Sequence, residues 1–523
     1  MEGKHHMKRM IAATLTLALT TAALAGCAAN AAAPTDDQNT VAAATMSNET
    51  GKTPKYVFLF IGDGMSYPQI QSTSDYLGAL NDEDYWQAQP SLDDNQGAIL
   101  DGPSYLNFMN FEAAGSAVTY DSNSFAPDSA STATSLSTGH KTYSGSINVD
   151  ETGTVEYETI AEQLKAQKGY EIGVITSVNL NHATPAAFYA HQASRSSYYE
   201  IGLEMVESDF DYFAGGGLLD PTGSEGDQTD LYQLAQEAGY TVARTYAEAD
   251  AISADTDKAI IIEENLADSD AIPYEIDRTD DMWSLADYVE KGIEVLDNDT
   301  GFFMMCEGGK IDWACHANDA GSTIHDTQAL ADAVQVAIDF AAEHPEETLI
   351  LVTGDHETGG LTIGFAGTDY DTYLDLLENQ KISYAKFDSD YVASYKENKT
   401  PFEDVLSDIE ELFGLKAQGA ADDKLVLTEY EMEQLRAAYE KSVNGTAASQ
   451  YEQEEYVLYG TYEPLSVTIT HIINNKSGIS FTSYSHTGLP VAVLAEGVGA
   501  ENFSGYYDNT QIYEKMADLL NIA

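Results

Sequence analysis

His325-Asp-Thr-Gln-Ala-Leu-Ala-Asp-Ala-Val-Gln-Val-Ala-Ile-Asp-Phe-Ala-Ala342, followed by Thr348-Leu-Ile-Leu-Val-Thr-Gly-Asp-His356, sets the fold class. The first part reads as a helix and the second as a buried apolar strand that ends in two polar residues. The same step recurs upstream, where Thr159–Lys168 reads as a helix and Glu171–Val178 as a strand. Two further apolar runs, Tyr56–Ile61 and the one that starts at Gly301, complete the pattern. Helices alternating with apolar strands predict an α/β fold, a large and mostly parallel central sheet with helices on both faces. At 523 residues the chain is long enough for one big domain with insertions.

Three of these strands release a carboxylate at the carboxyl end, where open α/β sheets build their sites. Tyr56–Ile61 delivers Asp63 in the tight turn Gly62-Asp63-Gly64. Phe302–Cys306 leads to Glu307 and then to a helix carrying Asp312 and His316, whose i, i+4 spacing puts both side chains on one face. Thr348–Gly354 ends in the adjacent pair Asp355-His356, and His486 stands just before the apolar strand Val491–Ala495. Taken singly, each cluster also reads as a surface pair or a turn with a cap. Imidazole mixed with carboxylate, without paired cysteines, suits catalytic zinc, and an all-oxygen set suits magnesium.

Phe125-Ala-Pro-Asp-Ser-Ala-Ser-Thr-Ala-Thr-Ser-Leu-Ser-Thr-Gly139 places Ser129 at the start of a small-residue helix. A hydroxyl there meets unpaired backbone N–H groups and the positive helix end, a setting for a phosphate ester on that oxygen. An ordinary helix cap is the plainer reading of the segment alone.

Together these residues resemble the alkaline phosphatases, from about Tyr56 to the C-terminus. Asp128-Ser129-Ala130 matches the family's nucleophile motif and Gly62-Asp63-Gly64-Met65 its first metal-binding turn. His182-Ala-Thr-Pro-Ala-Ala187, with His191 and Arg195 after it, matches the segment that supplies a magnesium ligand and the phosphate-clamping arginine. The resemblance implies one zinc on Asp312, His316 and His486, and a second on Asp63, Asp355, His356 and the Ser129 oxygen. It implies magnesium with Asp63, Thr184 and Glu307. His182 and Trp313 occupy the two positions that vary within the family, and a His/Trp pair marks a bacterial subgroup, with His182 expected behind the ligands. The activity implied is phosphomonoester hydrolysis through a phosphoserine on Ser129, by a homodimer. A phosphodiesterase of the same superfamily, or a metal- or phosphate-binding lipoprotein without turnover, are the competing readings. The sulfatase signature, Cys or Ser followed by x-Pro-x-Arg, is missing from Ser129-Ala-Ser-Thr-Ala133.

Outside the site, Lys8 and Arg9 precede the apolar stretch Met10–Leu24, and Leu24-Ala-Gly-Cys27 resembles a bacterial lipoprotein processing box. Residues 1–26 are therefore expected to be a signal peptide and Cys27 to carry lipid, with a plain secretory signal or an uncleaved anchor as the alternatives. Residues 27–53, rich in Ala, Asn and Thr, read as a disordered tether to the catalytic domain at 54–523. The enzyme is expected outside the cytoplasmic membrane, held by its lipid. Cys306 and Cys315 read as two small core thiols, although they could pair. Residues 367–470 form a polar, tyrosine-rich insertion, a lid or a dimer-contacting crown, with a helix announced by the capping box Thr428-Glu-Tyr-Glu431. Gly215-Gly-Gly217 reads as a simple turn, with an anion cradle as the alternative.

Asp and Glu number 86 against 24 Lys and Arg, a formal charge of -62. Such a surface repels nucleic acid and anionic membranes, so polyanion binding is excluded as a role. It also repels phosphate esters, which leaves local cations to attract them.

Overall fold

The structure is a computed structural model, and it describes residues 52–85, 99–420, 422–445 and 453–522. Its centre is a ten-stranded sheet. In chain order the strands are β1 (Tyr56–Gly62), β2 (Ala113–Val118), β3 (Glu171–Asn179), β4 (Tyr212–Gly216), β5 (Thr241–Ala243), β6 (Ala259–Ile262), β7 (Phe302–Gly308), β8 (Thr348–Gly354), β9 (Val491–Gly497) and β10 (Gly505–Asp508). They lie in the order β10-β2-β9-β8-β1-β7-β3-β4-β6-β5. From β8 through to β5 every pairing is parallel. Only β9 runs against its neighbours, β8 and β2.

β1, β7 and β8 are buried along their whole lengths, as strands covered on both faces must be. Alternate residues of β1 serve the two faces. Val57, Leu59 and Ile61 pack with helices Ser129–Thr138, Ile160–Lys168 and Thr510–Leu520. Tyr56, Phe58 and Phe60 pack with helices Leu285–Leu296 and Ala320–Glu343. The α/β expectation therefore holds, with helices on both faces.

The parallel register places the site. Gly62 is level with Gly308 on one side and Gly354 on the other, so Asp63, Glu307 and Asp355 emerge at one edge of the sheet. A Cβ on Gly354 would stand 1.9 Å from the Met65 carbonyl, which is why the two turns can lie so close. Because β9 is reversed, its start lies at that same edge and brings His486 there too.

Some boundaries differ from the sequence reading. The helix expected at His325 begins at Ala320, capped by the Asp319 side chain on Ser322 N–H. Gly215-Gly-Gly217 is not a turn, since Gly215 and Gly216 end β4. A Cβ on Gly216 would stand 2.6 Å from the Val178 carbonyl, so close backbone approach explains the glycines. The expected far bound of the insertion, residue 470, falls inside helix Pro464–Ser477. The insertion is mainly helical, and Glu429–Asn444 begins at the expected capping box. Phe387, Phe402, Ile409, Phe413, Leu435 and Leu465 form a hydrophobic cluster together with Tyr76, Ala320 and Ile324 of the main domain. Cys306 and Cys315 are both buried free thiols. Residues 1–51, with the predicted signal peptide, Cys27 and most of the tether, lie outside the described residues.

Candidate active site

The first group of donors forms on the turns after β1 and β8. Asp63 and Asp355 are buried, and His356 Nε2 lies 3.3 Å from Asp63 Oδ1 and 3.4 Å from Asp355 Oδ2. Asp355 is held by N–H donors from Gly64, at 3.1 Å, and from His356, at 2.8 Å, and by the Thr132 hydroxyl at 3.1 Å. Gly64 has φ +71°, and a Cβ there would stand 3.0 Å from Asp312 Oδ1, so the turn needs glycine twice over.

Asp312, His316 and His486 form a second group that shares His356. His316 Nε2 is 3.3 Å from Asp312 Oδ2 and 3.1 Å from His486 Nε2, and His486 Nε2 is 3.7 Å from Asp312 Oδ1. The other nitrogens fix the rings: His316 Nδ1 donates to the Tyr484 carbonyl at 2.6 Å and His486 Nδ1 to the Pro127 carbonyl at 2.5 Å. A carbonyl only accepts, so each Nδ1 carries a proton, and each Nε2 faces the other donors of the group. A short antiparallel ladder, His486-Thr487 against Glu357-Thr358, stacks the His486 ring on His356 with centroids 3.8 Å apart. Donor atoms of Asp312, His356 and His486, and those of Asp63, Asp355 and His356, converge closely enough to ligate one cation each.

Ser129 lies where the two groups meet. Its helix begins at that residue, and the Asp128 carboxylate caps it by accepting from Ser131 N–H. Ser129 Oγ is 3.2 Å from His356 Nε2 and 3.5 Å from Asp63 Oδ1, in a buried position. Asp128 also accepts from Arg195 Nη1 at 2.9 Å and from Gly145 N–H at 2.9 Å, which aims the guanidinium at the pocket. His182 Nε2 stands 3.4 Å from Arg195 Nη2, and its ring meets Trp313 edge-on. Burial, and then Arg195, push His182 down to about 3, so it is neutral and leaves the positive charge on Arg195.

A third set lies beneath Asp63. The Thr184 hydroxyl is 3.5 Å from Asp63 Oδ2, and the Thr176 hydroxyl donates to Glu307 Oε2. Glu307 Oε1 is buried with no hydrogen-bond partner among the described residues, although Thr184 and Asp63 stand beside that carboxylate. A buried carboxylate oxygen turned toward other oxygens fits a hard divalent cation.

The electrostatics agree with a cation-binding site. Burial, then Asp355 and Asp312, push Asp63 well above the usual carboxylate range. Burial raises Glu307 and Asp355 to about 7 each. Burial would raise Asp312 too, but His316 and His486 hold it well below its ordinary value. Burial, then His486, push His356 far down, which keeps it neutral and able to ligate. Packing these carboxylates without counter-charge is costly, and divalent cations between them remove that cost.

Every residue expected at the site from the sequence stands in this pocket or directly behind it. The pocket, of about 470 Å³, is open to solvent and has Ser129, Arg195, Asp312, Trp313 and His316 in its wall. The sequence reading missed the residues that hydrogen-bond the candidate ligands: Thr358, whose hydroxyl donates to Asp312 Oδ1 at 2.5 Å, Thr176 and Thr132. Nothing in the sequence separates these threonines from others. Asp128 was legible as a cap but not as the partner of Arg195.

Fold and site together define a hydrolase with a buried serine beside two groups of donors that could each hold a cation. The alkaline phosphatase family profile matches residues 54–522, and the chain belongs to that family. It is 30% identical over 469 residues to alkaline phosphatase 3 of Bacillus subtilis, covering 88% of this chain and 87% of that protein. The crystal structure of a cold-active alkaline phosphatase from a psychrophilic Shewanella shares 29% identity, with TM-score 0.68 over 89% of this chain and 99% of that one. Thermus thermophilus alkaline phosphatase superposes with TM-score 0.71 over 90% and 92% of the two chains, at 23% identity, a likeness of fold alone. The family is metal-dependent, and the two convergent donor groups fit that. Among the described residues no helix is long and apolar enough to cross a membrane.

Proposed function

We propose that the protein hydrolyses phosphate monoesters to an alcohol and inorganic phosphate through a phosphoryl group carried on Ser129 Oγ. The observation that carries this reading is the placement of that oxygen, 3.2 Å from His356 Nε2 and 3.5 Å from Asp63 Oδ1, at the meeting of both donor groups. Asp312, His316 and His486 would hold one zinc, Asp63, Asp355 and His356 the second, and Asp63, Thr184 and Glu307 a magnesium. Bound there, such ions supply Lewis acidity, positive charge near the phosphoryl oxygens and a lowered pKa for a ligated hydroxyl.

The chain's own residues do the rest. Arg195, anchored on Asp128, presents a planar fork that binds two phosphoryl oxygens. The helix that begins at Ser129 adds unpaired N–H donors and its positive end. The Ser129 oxygen attacks phosphorus, the bond to the ester oxygen breaks, and the alcohol departs. Water then attacks the phosphoserine, returns Ser129 and releases inorganic phosphate. Little of the Ser129 and Arg195 machinery grips the alcohol, so a range of monoesters is accepted. Steady hydrolysis of a monoester, with a bis-ester turned over far more slowly, tests the reading; a preference for the bis-ester would make it a diesterase.

His182 and Trp313 would mark the His/Trp subgroup and tune the magnesium side. Residues 1–26 are proposed to be a lipoprotein signal and 27–53 a tether from lipidated Cys27 to an exported, homodimeric catalytic domain at 54–523, with the insertion at about 367–470 as a lid or dimer-contacting crown. Fatty-acid labelling that is lost in Cys27→Ser supports the anchor; equal labelling of that variant would refute it.

A further inference from the structure

Nothing in the phosphoryl chemistry accounts for one wall of the pocket. Besides Ser129 and Arg195, its lining includes Trp313, from the Asp312 helix, and Tyr384 and Tyr462, both from the insertion. Tyr384 and Tyr462 meet edge to face, with centroids 5.6 Å apart at 84°. Tyr384 is buried, whereas Tyr462 and Trp313 are half-buried, and all three line the pocket.

The wall is braced from behind. Lys310 is fully buried, and its ammonium lies 3.9 Å from the centre of the Tyr274 ring and 4.7 Å from that of Trp313. The same ammonium pairs with Asp268 at 2.6 Å, and Asp268 with Ser269 forms the polar edge of the pocket. The Tyr274 hydroxyl donates to that of Tyr384 at 3.2 Å, with the two rings 5.8 Å apart. A buried cation sandwiched between aromatic faces fixes them at little further entropic cost. Rings already held in place give up less entropy when a ligand packs on them.

From this geometry we infer that Trp313, Tyr384 and Tyr462 form a subsite for the alcohol portion, one that favours phosphate monoesters whose alcohol carries an aromatic ring. The inference rests on Ser129 as the phosphoryl acceptor, because that places the leaving group in the open pocket beside these rings. Flat apolar faces that stand edge-on to one another leave room for a ring to stack or to meet them at its edge. A short aliphatic alcohol covers little of that surface. The insertion is then part of the substrate site, and the selectivity comes from residues outside the phosphoryl machinery.

The test uses the metal-loaded, full-length enzyme and two esters whose alcohols have closely similar acidity, 2-phenylethyl phosphate and ethyl phosphate, so that leaving-group chemistry does not mimic recognition. The expected ratio of kcat/KM, phenylethyl over ethyl, is about tenfold, the size of a good aromatic contact plus the apolar area it covers. In Tyr462→Ala that ratio falls to near one, and in Tyr462→Phe it is retained. Calorimetry with 2-phenylethylphosphonate and ethylphosphonate, which bind without turnover, should give the same ordering in Kd. A ratio near one in the native enzyme, or a ratio unchanged in Tyr462→Ala, overturns the subsite while leaving the phosphatase reading intact. Hydrolysis of neither ester would instead remove the reading on which the subsite rests.

Discussion

Thr358 contacts two of the proposed cation ligands at once, Asp312 and His356, which makes Thr358→Val an informative perturbation. The residue is buried, and its hydroxyl donates to Asp312 Oδ1 at 2.5 Å. Its oxygen is also 3.3 Å from His356 Nδ1. Since the hydroxyl proton is committed to Asp312, His356 Nδ1 carries its own proton and donates it to Thr358, which leaves the Nε2 lone pair facing Ser129. Valine keeps the shape, loses the donor and acceptor together, and strands a buried N–H. A hydrogen bond to a charged partner contributes about 1.5–3 kcal/mol, and an unpaired buried donor costs about 1–3 kcal/mol. Only the share that orients the ligands reaches the metal, so zinc affinity should fall roughly 10–100-fold, about 1.4–2.8 kcal/mol. Competition with a chromophoric chelator measures that affinity, and activity at limiting and at saturating zinc shows how much is recovered. Thr358→Ser should stay close to the native protein. If the valine variant binds zinc within about twofold of native, the inferred role of this hydroxyl is wrong.

Three further expectations follow from particular groups. His191, between Glu162 and Glu204, is raised to about 10 by those carboxylates against the pull of burial. Its stabilisation is complete below about pH 6.5 and is lost as pH rises through the folded value near 10. The melting temperature of the native protein should exceed that of His191→Gln at pH 6 and converge with it by about pH 11; a constant gap would contradict this. Glu307→Gln removes a buried charge that would serve magnesium, so stimulation by added magnesium should drop at least about tenfold, and undiminished stimulation would argue against that ligand. With a formal charge of -62, moderate salt should raise kcat/KM for a phosphate dianion by screening repulsion, and a flat or falling profile would discard that effect.

How far the sequence carried differed by region, for physical reasons. Tyr56–Ile61, Phe302–Cys306 and Thr348–Gly354 were legible as strands because both faces are covered and the runs are continuously apolar. Asp63, Glu307, Asp312, Asp355 and His356 were legible because each stands at or just beyond the end of such a strand. The reversal of β9 was not legible, since an apolar run has no direction in sequence, yet it is the reversal that brings His486 to the site. The glycines at 215 and 216 misled because a close strand crossing uses the same residue as a turn. Thr358, Thr176 and Thr132 act only through neighbours distant in the chain, and local pattern carries no trace of such contacts. The aromatic wall is of the same kind, with Trp313 on the Asp312 helix and Tyr384 and Tyr462 far along the chain in the insertion.

In the proposed mechanism, Ser129 Oγ accepts the phosphoryl group within a cation centre built by Asp63, Asp312, His316, Asp355, His356 and His486. The most direct measurement is acid quenching of the enzyme with a labelled phosphomonoester, followed by mapping of the labelled peptide. Label should appear on the peptide containing Ser129, vanish in Ser129→Ala while the metals stay bound, and vanish from native enzyme after chelation until zinc and magnesium are restored. Label on another residue, or full turnover by Ser129→Ala, would contradict it.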